Sequence, residues 1–325
     1  VITLPPSSLL FIKPGSMGDV IHAIPVAQAI HRAWPTTRIT WIVDPRWQPL
    51  LEGNSAISEI HPFPRSDFKG IGGASRAVPW YRELRKFHAD MALDLQCLLR
   101  SGLMAFCSGA RHVVGLSDAR EGARFFYTKT VPVDKKEHAV KRYLRALPFI
   151  GVDQPSDPEW FIPPGRPMDA PVIQEPYIIL HPFARGAGKS LDAAAVEACV
   201  EAFQAISGIH IILAGVGEYV KEHGPRFHNF LGKTDLSQLI TLLRGARFVI
   251  SVDSGPMHLA SALGVPVLSI HTWSDPRLVG PFSKKSWIWQ GGEIRKQDLT
   301  QSPRAETAFT LNHAVEIARF VAAQT

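Results

Sequence analysis

The turn Val252-Asp253-Ser254-Gly255-Pro256-Met257-His258 follows an apolar run at 248–252, and its residue types suit it to hold an anion. Pro256 fits the first helical position, where its missing N–H would have had no partner. Ser254 and Gly255 then sit where backbone N–H groups and the positive end of a helix converge, a seat for a diphosphate. Asp253 and His258 flank that seat. Read alone, the turn also fits a plain capped helix. A second turn of similar design lies near the other end of the chain. There Lys13-Pro14-Gly15-Ser16-Met17-Gly18-Asp19 ends an apolar run at 9–13 and leads into Val20, Ile21, Ile24 and Ala27 at helical spacing. Asp19, at the helix entrance, has two open readings: an N-cap accepting the first N–H groups, or a general base kept ionised by the helix dipole. His22, three positions on, can share its face of the helix.

Three further segments carry chemical groups. Residues 177–190 end in Arg185-Gly186-Ala187-Gly188-Lys189-Ser190 and almost match a P-loop, but Phe183 stands where the first glycine is required. What survives is a cationic loop after a strand, with Arg185 and Lys189 available to a phosphate. Gly215-Val216-Gly217-Glu218 closes another apolar run and lacks the third glycine of a dinucleotide fingerprint. Glu218 is placed either to take hydrogen bonds from a ribose or to be an exposed turn acid. Asp94-Leu95-Gln96 ends a further run in a polar turn. The three cysteines (Cys97, Cys107 and Cys199) are few and far apart. That pattern argues against a disulfide framework and fits a reducing compartment. Their spacing offers no metal-ligand motif, so no metal is expected.

The elements that must position these groups are short, β-branched apolar runs separated by helical stretches. Runs at 9–13, 39–43, 91–95 and 112–115 fall in the first half, and runs at 177–181, 210–214, 248–252 and 267–271 in the second. Helices are expected between them, for example over 19–34, 191–206, 236–245 and 257–264. This alternation predicts an α/β protein with parallel sheets covered on both faces. Seven prolines between 151 and 176 break any regular element there. The reading is of two facing Rossmann-like domains, 1–160 and 177–304, joined by a Pro-rich connection at 161–176. The ligand site is expected beyond the carboxyl ends of the strands, in an interdomain cleft. Residues 305–325 form a predicted amphipathic helix that can return to the first domain.

At 325 residues, 46% hydrophobic and 20% charged, the chain has ample core for two domains. No apolar run approaches the roughly 18 residues of a membrane-spanning helix, and no basic, apolar leader is evident. A cytoplasmic protein is expected. The net charge of +6 is uneven: residues 1–165 hold 20 Lys and Arg against 15 Asp and Glu, and the remainder holds 15 against 14. Basic residues crowd 65–86 and 111–145, which points to an anionic partner of the first half.

In combination these segments resemble bacterial lipopolysaccharide heptosyltransferases of glycosyltransferase family nine, nearest the first heptosyltransferase of the inner core. The motifs that carry the resemblance run in order: 13–22, Asp94-Leu95-Gln96, Ala119-Arg120-Glu121, His138 to Arg142, Lys189, Gly215 to Glu218, and 252–258, continuing through Asp275-Pro276 and Gly280-Pro281. The resemblance implies a GT-B fold and inverting, metal-independent transfer of a heptose from an ADP-linked donor, with no cofactor. The acceptor it implies is an anionic glycolipid of the Kdo-lipid A type, met peripherally at the inner face of the inner membrane. Asp19 would be the general base and Lys189 would steady the leaving diphosphate. Glu218, Asp253, Ser254, Gly255, His258 and Arg185 would hold the donor. Lys13, Ser16, Gly18, His22, Gln96 and Arg120 would serve the acceptor. The chain departs from the family pattern after the loop lysine, where Ser190-Leu191 replaces an aromatic. It departs again at Phe183-Ala184, where some relatives carry paired hydroxyl residues.

Other functions stay open at this point. A family-nine transferase could use another nucleotide sugar. A sugar-nucleotide epimerase shares the architecture but leaves the basic first half unexplained. A nucleic-acid binder would account for the pI near 9.3, yet no recognisable nucleic-acid motif is present, and no such partner is expected.

Overall fold

Most strands pair with the next one in the chain and run parallel to it, because the connection between them crosses a sheet face before the chain returns. The computed structural model describes residues 5–168, 173–186, 188–206, 208–301 and 308–325. The chain divides into two units, Val1–Pro163 and Pro164–Thr325. Residues 169–172 of the expected connection, and the first three positions of the expected C-terminal helix, lie outside the described residues.

The first unit runs β1 (Ser8–Ile12), α1 (Met17–Ala33), β2 (Arg38–Val43), β3 (Glu59–Pro62), α2 (Gly73–Glu83), β4 (Met91–Asp94), α3 (Leu99–Cys107), β5 (His112–Leu116), β6 (Lys129–Val131), α4 (Ala139–Leu144) and α5 (Ala146–Ile150). Its six strands are ordered β3-β2-β1-β4-β5-β6 and are all parallel. Leu9, Leu10, Phe11 and Ile12 are fully buried, as a central strand covered on both faces requires. The strand order reverses between β1 and β4, so their carboxyl ends open the crevice where such sheets bind ligands. Lys13 follows β1, and Gln96 follows β4.

The second unit repeats the design with β7 (Tyr177–His181), α6 (Ala193–Ile206), β8 (His210–Leu213), β9 (Phe227–Asn229), α7 (Leu236–Gly245), β10 (Phe248–Val252), α8 (Gly255–Ala262), β11 (Val267–Ile270), α9 (Pro276–Val279), β12 (Ser286–Gln290), β13 (Glu293–Lys296) and α10 (Leu311–Ala322). The sheet order is β13-β12-β11-β10-β7-β8-β9, with only β13 antiparallel. Here the reversal lies between β7 and β10, the strands that precede Lys189 and Ser254. The sequence leaves the last helix free to return to the first domain. Its apolar face (Ala314, Ile317, Ala318 and Val321) lies in the core of the second unit, with Val196, Cys199, Val200 and Phe203 of α6.

The structure adds strands that the apolar runs did not reveal: β3, β6, β9, β12 and β13. Edge strands such as β3 and β9 are short and partly exposed, so their residues carry little hydrophobic pattern. One correction concerns α8, which starts at Gly255 with Ser254 as its N-cap, placing Pro256 one position inside the helix.

Candidate active site

In the first unit, Lys13, Asp19, Gln96 and Arg120 line one cavity of about 310 Å³, together with Asp118, Lys135, Arg142 and Tyr143. Asp19 is not the N-cap of α1. Ser16 occupies that position, and Asp19 is the third helical residue of a capping box. Its Oδ2 accepts the Ser16 N–H at 3.0 Å and the Ser16 hydroxyl at 2.9 Å. The structural reading of Asp19 and the catalytic one are therefore compatible. One carboxylate oxygen closes the helix end, while the other faces Tyr143 and Lys13.

The buried Tyr143 hydroxyl donates to Asp19 Oδ1 at 2.9 Å, and Lys13 Nζ lies 3.5 Å from the same oxygen. Lys13 also donates to the Tyr143 hydroxyl at 2.8 Å and to the Leu95 carbonyl at 3.0 Å. Burial pushes the Asp19 carboxyl up, but Lys13 and the Ser16 and Tyr143 hydrogen bonds outweigh it and leave the group below the usual carboxylate range. The side chain keeps 36% exposure against 3% for Lys13, so Asp19 is ionised and reachable. Arg142 is paired with Asp118 at 2.5 Å, whereas Arg120 and Lys135 are exposed at the rim. The cavity thus holds four cations against two carboxylates.

Asp94, the last residue of β4 and next in the chain to the cavity-lining Leu95, is fully buried. Its Oδ1 accepts the N–H groups of Gln96 and Cys97 at 2.9 and 3.0 Å, and its Oδ2 accepts the Tyr127 hydroxyl at 2.7 Å. Gly115 makes room for that tyrosine, since a Cβ there would lie 2.1 Å from the ring. The loop fixed in this way presents Gln96, whose Oε1 accepts the Gly15 N–H at 3.4 Å. Gly18 and His22 are buried in α1. His22 is packed edge-on against His138 at 5.4 Å and does not line the cavity. His138 itself caps α4 through its ring nitrogen.

In the second unit the loops after β7, β8, β10 and β11 leave the same edge of the sheet. His181, at the end of β7, lies within 3.4 Å of the Ser254 hydroxyl, which also meets the Ser251 hydroxyl at 3.0 Å. On the other side of the ring, a Cβ on Gly215 would stand 2.9 Å from His181 Nε2. The φ of +128° at Gly215 also belongs to a backbone region that L side chains rarely adopt. Gly217 lies against the Phe183 ring in the same manner. No helix follows Gly217 before β9, so the turn is not a dinucleotide fingerprint. Burial holds His181 and His271 down to about 4, so both rings are neutral near pH 7. His271 meets the Ser269 and Ser274 hydroxyls at 2.9 and 2.8 Å.

Lys189 Nζ sits 3.8 Å from the centre of the Trp273 ring, in the loop after β11. An aromatic partner for the loop lysine is therefore present, but it comes from 84 positions further along the chain. Ser190 closes the loop by accepting the Ala184 N–H at 3.0 Å. Arg185 and Glu218 are exposed, Asp253 and Ser254 are half-buried, and His258 is buried in the first turns of α8.

The sequence matches the family model "Glycosyltransferase family 9 (heptosyltransferase)" over residues 79–308. The chain belongs to glycosyltransferase family 9. Among its relatives, the lipopolysaccharide core heptosyltransferase OpsX of Haemophilus influenzae is 24% identical, over 94% of this chain and 90% of its own length. Lipopolysaccharide heptosyltransferase 1 of Escherichia coli O18:K1:H7 is 26% identical, over 90% of this chain and 94% of its own. The solved E. coli heptosyltransferase WaaC with ADP superposes with a TM-score of 0.77 at 22% identity, covering 98% of this chain and all of that one. The same enzyme with ADP-2-deoxy-2-fluoro heptose gives 0.76. The fold is accordingly of the GT-B type, with two Rossmann-like units.

For this family member, sequence reasoning missed Tyr143, Trp273 and His181. His181 ends one strand that the apolar runs located and Trp273 follows another, so position alone could have drawn attention to them. Tyr143 carries no such signal. It sits 124 residues from Asp19 in an ordinary amphipathic stretch, and only the packing of α4 on α1 brings the two together.

Proposed function

We propose that this glycosyltransferase moves a heptose from an ADP-linked donor to the inner core of lipopolysaccharide, with inversion at the anomeric carbon. The supporting observation is the Asp19 carboxylate, ionised and reachable at the edge of a cavity whose rim charges, Arg120 and Lys135, are positive. Such a cavity suits an acceptor sugar that carries carboxylate or phosphate groups. In this reading the acceptor hydroxyl oxygen attacks the anomeric carbon and the bond from that carbon to the diphosphate breaks. Asp19 takes the hydroxyl proton, and ADP departs with the electron pair. Lys189 and the N-terminus of α8 at Ser254–Gly255 oppose the charge that grows on the diphosphate. Glu218 holds the ribose, and Arg185, Asp253 and His258 shape the donor site. Lys13, Ser16, Gly18, His22 and Gln96 keep the base and its loop in place, and Arg120 meets the acceptor. A relative that is a lipopolysaccharide core heptosyltransferase, and the WaaC structures with ADP and with ADP-2-deoxy-2-fluoro heptose, support these substrates. Among the described residues no helix is long and apolar enough to cross a membrane. A lipid-linked acceptor and the basic first half of the chain favour a peripheral place on the inner face of the inner membrane.

The test is ADP release from ADP-heptose with and without a Kdo-lipid A acceptor, alongside calorimetric binding of ADP, GDP and UDP. Acceptor-dependent release and selective ADP binding support the proposal. Preference for GDP or UDP would keep the transferase and discard heptose. Conversion of donor to an isomer without acceptor would make the protein an epimerase.

A further inference from the structure

The loop that lines the acceptor cavity, Leu95 to Cys97, leads directly into α3, and Arg120 at the cavity rim leads into the 3-10 turn Ala123–Phe126. These two segments pack side by side. Gly102 of α3 sits against Ala123 and the Phe126 ring, and Phe106 lies 5.7 Å from Phe126. Leu99, Leu103 and Phe106 are spaced four and three apart, on one face of α3. That face is turned away from the core, which takes Ser101, Gly102, Met104 and Ala105. Leu99 is 48% exposed, Phe106 61% and Phe125, in the adjoining turn, 93%. Single exposed apolar residues need no explanation, but a contiguous group on neighbouring elements does.

The charges around this group identify its occupant. Arg100 flanks it on α3, and Arg120 and Arg124 flank it on the turn, both exposed. The Glu121 carboxylate lies among them and accepts the Leu99 N–H at 3.3 Å. Exposed apolar side chains flanked by arginines match a surface that is anionic outside and apolar beneath. We propose that the Leu99–Phe106 face of α3 and Phe125 seat the first unit on an anionic lipid bilayer, beside the mouth of the acceptor cavity. A lipid-anchored acceptor then needs only to raise its sugar into the cavity while its acyl chains stay in the membrane. The proposal rests on reading that cavity as the acceptor site.

The experiment is flotation of the full chain with phosphatidylethanolamine–phosphatidylglycerol vesicles, and with pure phosphatidylcholine as a control. Phe125→Ser, Phe106→Ser/Phe125→Ser and Arg124→Glu are compared with the parent, and each variant is checked for ADP binding and molecular mass. The parent is expected to float with the anionic vesicles and to be released by high salt. Losing an interfacial phenylalanine should weaken binding by about tenfold. Turnover of a soluble, deacylated acceptor should be unchanged in all variants, while turnover of vesicle-borne acceptor falls. Failure of the parent to float, or parent-like binding by the double variant, overturns the proposal. A dimer that the variants dissociate, with vesicle binding unaltered, also overturns it and makes the face a self-contact. If the parent floats through this face but turns over no lipopolysaccharide acceptor, the docking surface stands and the heptosyltransferase reading fails.

Discussion

Replacing Asp19 by asparagine separates chemistry from structure, because the amide keeps the size of the side chain and loses its charge. The amide oxygen of the Asp19→Asn variant can still accept the Ser16 N–H, which the carboxylate accepts at 3.0 Å, so the helix end should remain closed. The interactions lost at the other oxygen are the hydrogen bond from the Tyr143 hydroxyl and the ion pair with Lys13, 3.5 Å away and 3% exposed. At that separation two unit charges attract by about 1 kcal/mol in bulk water and nearly 5 kcal/mol at an effective dielectric constant of about 20. With Asp19 36% exposed, the lower part of that range applies. Lys13 also keeps the Leu95 carbonyl and the Tyr143 hydroxyl as acceptors. A loss of about 1–2 kcal/mol in stability follows, and the protein stays folded at ordinary assay temperature. Removing a general base typically costs about 10²–10⁴ in rate, or about 2.7–5.5 kcal/mol of barrier. ADP affinity should be unchanged, because the proposed nucleotide contacts belong to the second unit. The assay is ADP release at saturating donor and acceptor, with ADP binding and urea denaturation measured on the same preparation. Turnover within about threefold of the parent by a folded, ADP-binding Asp19→Asn variant would refute the role given to Asp19.

Four further outcomes are expected. Tyr143→Phe removes the donor to Asp19 Oδ1, one of the groups that hold this carboxyl low; kcat should fall about tenfold, and the acid limb of kcat/KM should move to higher pH, whereas an unmoved limb would make the hydroxyl purely structural. Lys189→Met should lower kcat by about one to two orders of magnitude, and Trp273→Ala, which removes a contact worth about 0.5–1 kcal/mol, should raise the donor KM only a few-fold; equal effects from both would count against a direct role for the lysine. Gly215→Ala places a Cβ 2.9 Å from His181 Nε2 at a φ of +128°, and should destabilise the protein by about 2–4 kcal/mol while weakening ADP binding, so an unaltered denaturation midpoint would contradict the packing described. His181 and His271 stay neutral until about pH 4, while an unfolded histidine protonates near 6.5; the unfolded chain therefore gains protons first as pH falls, and each ring should cost roughly 2 kcal/mol of stability between about pH 7 and pH 5, seen as a lower urea midpoint and absent if the rings are not buried.

Much of the fold was legible because it depends on patterns that physics makes local. A central parallel strand must be apolar throughout, and β1, β4, β7 and β10 are largely so; glycine and polar residues then mark where each strand gives way to its loop. The residues that follow those strands (Lys13, Gln96, Lys189, Ser254) were legible for the same reason, since a doubly wound sheet places its ligands there. What stayed hidden depends on distant packing. Asp19 reads as an N-cap or a base until Ser16 is seen to be the cap. The aromatic missing after Lys189 in sequence is present in space as Trp273. His22 shares the helix of Asp19, but it is buried against His138, and nothing in the spacing announces that cover. The edge strands β3 and β9 escaped notice because partial exposure leaves no apolar pattern to read.

The lowered pKa of Asp19, the proposed base, needs a physical account, because proton transfer to a weak base is driven less strongly. In a displacement at an anomeric carbon the acceptor hydroxyl becomes more acidic as its oxygen bonds to carbon and shares the positive charge of an oxocarbenium-like transition state. The proton thus leaves late, and the carboxylate needs to be ionised and correctly aimed more than it needs to be strong. The surroundings of Asp19 serve those two needs. Lys13 keeps the group ionised inside a mostly buried pocket, where burial alone would push it toward neutrality. Ser16 and Tyr143 fix both carboxylate oxygens, so the plane of the group is set before the substrate arrives. The same arrangement explains why a neutral histidine would be a poor replacement: a ring held neutral by burial, as His181 and His271 are, carries no charge to pair with Lys13. An Asp19→His variant should therefore leave Lys13 uncompensated and lose more stability than Asp19→Asn while recovering no turnover. Recovery of activity by the histidine variant would show that base strength, rather than charge and aim, limits the reaction.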